Sequence, residues 1–115
     1  MNPLLVMCGL FFLLSPGVLT AEGEVQEATF KVAGKCGMCK TRIEKALKIE
    51  GVTSAQWDKR TTRVTVSFQS PPLTVDSLQR RVAAAGHDTG KYAAPDSVYA
   101  GLPACCRYRD KSTRH

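Results

Sequence analysis

Long apolar runs are scarce in this 115-residue chain, and the one that exists, Leu4 to Leu14, is roughly a dozen residues where a membrane span needs about 20. A stable membrane span is therefore not expected. Catalytic patterns are missing too: there is no Ser-His-Asp arrangement, no carboxylate dyad and no phosphate-binding loop, so the chain is not expected to be an enzyme. Aromatic residues make up 7% of the sequence and do not interleave with its basic residues, which argues against nucleic acid as a partner. Internal repeats and low-complexity tracts are absent as well.

The N-terminal stretch lacks charge. No charged side chain precedes Glu22, and Leu19-Thr20-Ala21 places small residues where signal peptidase would cut. Residues 1–21 thus read as a secretory signal peptide cleaved after Ala21, even without a basic n-region, and the mature chain is expected to be secreted or periplasmic. Cys8 falls inside the apolar run, and Val6-Met7 before it does not make the small-residue approach of a lipobox. It reads as signal-peptide filler. Residues 22–27 form a short N-terminal extension, 28–93 a single domain too small for a second core, and 94–115 a basic tail carrying two adjacent cysteines.

Within that domain the periodicity changes type several times. Ala28 to Val32 alternates like a half-buried strand. From Met38 to Leu47, Ile43, Ala46 and Leu47 share one face of an amphipathic helix that Gly51 can end. Val52 to Trp57 and Arg63 to Phe68 are β-prone and separated by the polar Asp58 to Thr62, which predicts a hairpin. After Pro71-Pro72, Thr74 can cap a second helix in which Val75, Leu78, Val82 and Ala85 recur until Gly86. A short last strand is expected over 87–93. The order β-α-β-β-α-β predicts an α+β, ferredoxin-like split sandwich followed by an irregular C-terminal tail.

The residues most charged with chemistry are Cys36-Gly37-Met38-Cys39, placed between the first strand and the first helix. The partial positive charge of a helix N-terminus favours thiolate over thiol, and two thiolates at this spacing can face one ion. Soft sulfur ligands select Cu(I) first, with Hg(II), Ag(I) or Zn(II) as alternatives. Export exposes Cys36, Cys39, Cys105 and Cys106 to an oxidising compartment, so any thiol chemistry has to survive there.

Phe30-x-Val32, Cys36-x-x-Cys39, Ile43-Glu44-x-Ala46-Leu47, Gly51-Val52 and Ala84-Ala85-Gly86-His87 together resemble the heavy-metal-associated domain family of copper chaperones, copper-transporting ATPase N-termini and periplasmic mercury-binding proteins. The resemblance runs from Ala28 to Tyr92 and implies that Cys36 and Cys39 bind the metal. The chain departs from that family in carrying Gly34 where a Met usually sits two residues before the first Cys. His87 follows the second helix where the family often brings a side chain near the metal loop, either as a further ligand, as an outer-shell donor, or as a loop histidine without metal contact. Met38 reads as core or solvent-facing rather than as a ligand. Cys105 and Cys106 lie outside the common core, in a setting similar to the tails of exported bacterial members. One of them can fold back to add a ligand or a disulfide, or both can stay free.

The expected mechanism is ligand exchange with a metal-donor or metal-acceptor protein, such as a metal-transporting ATPase or an efflux component. The net charge of +6 and the placing of Lys35, Lys40 and Arg42 beside the metal loop suit an acidic partner. The rival reading is a thiol-disulfide oxidoreductase using Cys36/Cys39, since C-x-x-C at a helix N-terminus also serves that chemistry.

Overall fold

A computed structural model describes residues 23–110; the predicted signal segment and the last five residues, His115 included, lie outside the described residues. Strand β1 spans Glu24–Lys31, helix α1 Gly37–Ala46, β2 Val52–Asp58, β3 Arg63–Ser70, helix α2 Val75–Ala84 and the short helix α3 Asp96–Ala100, with a 3-10 turn over Ala104–Cys106. The three strands form an antiparallel sheet in the order β1-β3-β2. Two helices pack on this sheet, which is the ferredoxin-like α+β arrangement expected from the sequence.

Period-two alternation sets the register. Phe30 and Trp57 both lie opposite Val64, and Ala28 and Ala55 lie opposite Val66, so one face of the sheet is apolar across all three strands. Val64, Val66 and Phe68 are buried there against Ile43 and Leu47 of the α1 region and Leu78 and Val82 of α2. Each such side chain contributes about 1.5–3 kcal/mol when fully removed from water, which is what fixes the helices over the sheet. Thr74 and Ser77 cap α2 reciprocally, each side chain accepting the other's backbone N–H at 3.0 Å.

Three features differ from the sequence expectation. Strand β1 begins at Glu24, inside the stretch read as an extension, because Glu24 to Glu27 pair with Ser67 to Ser70 through backbone bonds while their side chains stay exposed and leave no apolar signature. The expected last strand over 87–93 survives only as an isolated bridge between Val32 and Thr89. Thr89 instead holds a tight turn, its Oγ1 accepting the Lys91 and Tyr92 N–H groups at 3.2 and 2.9 Å, and a turn cannot extend a ladder. The tail is also more ordered than "irregular" implies: Leu102, Cys106 and Tyr108 are all buried in the common core. No helix among the described residues is long and apolar enough to cross a membrane.

Candidate metal centre

The chain leaves the sheet at Lys31 and enters α1 at Gly37, so the intervening loop delivers Cys36 as the N-cap and Cys39 within the first turn. No acidic residue occupies that first turn. The helix N-terminus therefore presents its positive end to sulfur alone. Cys39 is buried beneath the loop, and the Lys35 N–H donates to its Sγ at 3.4 Å. Cys36 is partly exposed.

A third sulfur meets this pair from the other end of the chain. Cys36 Sγ lies 3.3 Å from Cys39 Sγ and 3.7 Å from Cys106 Sγ, and all three atoms fall within 4.8 Å of one another. Burial on its own would raise the Cys36 pKa, but hydrogen bonds from Cys39 and Cys106 outweigh it and bring the value down to about 7. Burial dominates at the other two and pushes both thiols up; at Cys106 the neighbouring sulfurs add to the rise. One thiolate held by neutral thiols is the state this arrangement favours near neutral pH. All four described cysteines are free. Cys105 points away from its neighbour: it is exposed, and its thiol donates to the exposed Met38 Sδ at 3.6 Å.

Such a cluster can grip a thiophilic ion, since soft thiolates prefer soft cations and, among the described residues, no carboxylate joins the three sulfurs. The sequence pattern of the heavy-metal-associated domain matches residues 29–88, more than half of the chain. The chain belongs to the heavy-metal-associated domain family. Among solved structures it is similar to a CopZ metallochaperone, at 30% identity over 56% of this chain and 98% of that one, with a TM-score of 0.53. It is similar also to oxidised MerP from Ralstonia metallidurans CH34, at 29% identity over 58% and 96% of the two chains, with a TM-score of 0.54. The N-terminal domain of a potential copper-translocating P-type ATPase from Bacillus subtilis, solved in the Cu(I)-loaded state, shares 34% identity over 57% and 85%, with a TM-score of 0.53. No curated protein matches the chain.

Against that family background, the place of the missing Met has a physical explanation. A Cβ on Gly34 would stand 2.9 Å from Trp57 Cζ2 and 3.1 Å from the Cys39 Cβ. The Trp57 indole fills the space under the loop, and its Nε1–H donates to the Val32 carbonyl at 2.9 Å. Only glycine fits over it. Lys40 pairs with Glu44 and donates to the Trp57 carbonyl at 3.2 Å, so one of the loop-flanking cations is engaged in bracing β2 against α1.

His87 is fully buried and stands outside the sulfur cluster. Its Nδ1–H donates to the Ala33 carbonyl at 2.8 Å, which braces the loop before Cys36, while Nε2 has no hydrogen-bond partner among the described residues. Burial lowers its pKa, so it is neutral at pH 7.

Sequence reasoning missed the residues that bring Cys106 in. Tyr108 stacks on His87 with ring centroids 5.4 Å apart, donates its hydroxyl to the Gly86 carbonyl at 2.7 Å and accepts the Asp88 N–H at 2.8 Å. Arg109 reaches both Asp88 carboxylate oxygens at 2.7 and 3.2 Å and the Ala94 carbonyl at 3.0 Å. The available signal was the run Leu102-Pro103-x-Cys-Cys-x-Tyr108, whose apolar and aromatic members flank the cysteines.

Proposed function

We propose that this protein is an exported soft-metal carrier or scavenger that holds Cu(I) through Cys36 and Cys39 and passes it on by thiolate exchange. The observation that carries the reading is the 3.3 Å approach of the two sulfurs at the acid-free N-terminus of α1, in a chain of the heavy-metal-associated family. The similar structures include a metallochaperone and a Cu(I)-loaded ATPase domain, which favours Cu(I) and a metal-transporting ATPase or efflux component as the partner. Hg(II) follows from the likeness to MerP, and Ag(I) and Zn(II) from thiolate chemistry. Residues 1–21 supply the export signal, so the ion is handled outside the cytoplasm.

In the exchange, the partly exposed Cys36 is the accessible end of the pair and Cys39 the buried anchor. An incoming partner thiolate adds to the ion on the Cys36 side, forms a further metal–sulfur bond, and takes the ion as Cys36 and then Cys39 let go. No covalent bond of the protein changes, so the chain acts without catalysis. The oxidoreductase reading is weaker because the chain matches the heavy-metal-associated domain, and Pro71, which the sequence offered ahead of α2, packs against Gly23 at the start of β1, the end of that strand remote from the motif.

The test is transfer. Reduced, Cu(I)-loaded protein mixed anaerobically with a soluble acceptor domain bearing a thiolate pair should hand the ion over without releasing it to a weak chromophoric chelator. Handover at an unchanged rate from Cys36→Ser would contradict the mechanism, and rapid turnover of a disulfide substrate by the metal-free protein would install the oxidoreductase in its place.

A further inference from the structure

The tail from Ala94 onward lies outside the residues that match the family pattern, yet the described part of it is bolted to the domain on both sides of Cys106. Upstream, Leu102 is buried against Gly86, so closely that a Cβ there would stand 2.9 Å from Leu102 Cδ2. Downstream, the Tyr108 hydroxyl bridges Gly86 and Asp88, and Arg109 forks onto Asp88 while its guanidinium lies 4.4 Å over the Tyr99 ring. Between these anchors the 3-10 turn, closed by the Cys106 N–H to the Pro103 carbonyl at 2.8 Å, turns Cys106 inward and Cys105 outward.

We propose that Cys106 is a third metal ligand, so that the ion rests in a three-thiolate site of Cys36, Cys39 and Cys106. The proposal builds on the reading of Cys36 and Cys39 as the gripping pair and states how that grip is completed.

Distances favour it. With metal–sulfur bonds of about 2.3 Å, three sulfurs around an ion in one plane stand about 4.0 Å apart, whereas a linear pair stands about 4.6 Å apart. The Cys36–Cys39 and Cys36–Cys106 edges, 3.3 and 3.7 Å, sit nearer the trigonal figure. Opening Cys36 and Cys39 to a linear pair would need about 1.3 Å of separation, nearly twice the movement that the trigonal site needs. Burial points the same way: Cys106 and Cys39 are fully enclosed, and beside the Lys35 N–H at Cys39 the polar neighbours of these sulfurs are one another and Cys36. A further consequence concerns access. With Cys106 capping one side, the route to the ion runs past Cys36, where the exposed Met38 and Cys105 sulfurs stand.

X-ray absorption at the copper edge decides the matter, using the reduced full chain with one equivalent of Cu(I) under conditions where sedimentation shows a monomer. Three sulfurs are expected around copper in the wild type and in Cys105→Ser, and two in Cys106→Ser, with Cu(I) held about a hundredfold less tightly by the latter in chelator competition. Circular dichroism checks that Cys106→Ser folds; if it does not, the wild-type count still decides. Two sulfurs in the wild type, an unchanged Cys106→Ser, dependence on Cys105, or a third sulfur seen only in dimers would each overturn the proposal. Those results leave the Cys36/Cys39 reading standing, and only full retention of Cu(I) by the Cys36→Ser/Cys39→Ser variant would remove that as well.

Discussion

Replacing Tyr108 by Phe removes one oxygen and tests whether the tail is fastened to the domain as described. The ring keeps its stack on His87 and its edge contact with Tyr99 at 5.1 Å. What disappears is a hydroxyl that donates to Gly86 O at 2.7 Å and accepts from Asp88 N at 2.8 Å in a buried setting. A net hydrogen bond is worth about 0.5–1.5 kcal/mol, and stranding a buried partner costs about 1–3 kcal/mol. The Asp88 N–H loses a specific acceptor and the Gly86 carbonyl a specific donor, so a loss of about 2 kcal/mol is expected. For a domain of this size that lowers Tm by roughly 8–16 °C. Urea unfolding of the reduced, metal-free protein measures it directly, and the slope against urea should not change, because the same surface is exposed on unfolding. A loss under about 0.5 kcal/mol would mean that the hydroxyl is not fastening anything, and the case for a positioned Cys106 would weaken with it.

Asp88 gives the clamp a pH limit. Burial alone would raise its pKa, but Arg109, the Ala94 N–H at 2.7 Å and Tyr108 lower it below the ordinary carboxylate value. A carboxylate with a depressed folded pKa stabilises above its unfolded pKa of about 3.9 and loses that contribution as pH falls through the folded value. Asp88→Asn should therefore be less stable than wild type at pH 7, and thermal melts of the two should converge below about pH 4; a gap that persists in acid would refute the ion-pair account. Gly34→Ala drives a methyl into the Trp57 indole and the Cys39 Cβ, and overpacking of this kind costs about 1–3 kcal/mol. Trp57, the only tryptophan, should report the displacement as a changed emission spectrum, and an unshifted spectrum with full stability would show the space is not filled as described. N-terminal sequencing of the exported protein should begin at Glu22; retention of Met1 would contradict the signal-peptide reading.

The fold was legible wherever side-chain burial repeats with a period. Phe30, Val64, Val66 and Phe68 announced strands, and Leu78 and Val82 announced a helix, because one face of each had to leave water. The first half of β1 was not legible, since its exposed side chains are held in the sheet by backbone bonds that carry no compositional mark. Nor was the fate of residues 87–93 visible, where the Thr89 turn prevails over β propensity. At the site, Cys36 and Cys39 were readable from their spacing and their place before a helix. The sequence left open whether Cys105 or Cys106 folds back to them, because contact across 70 positions depends on Tyr108 and Arg109 finding Gly86 and Asp88, and no local pattern encodes that pairing.

The central claim is that the Cys36 and Cys39 thiolates form a soft-metal site, and anaerobic Cu(I) titration of the reduced chain against a chromophoric competitor tests it most directly. One Cu(I) per chain, bound tightly by wild type and released to the competitor by Cys36→Ser/Cys39→Ser, is the predicted result. Equal stoichiometry and affinity in that double variant would contradict the account.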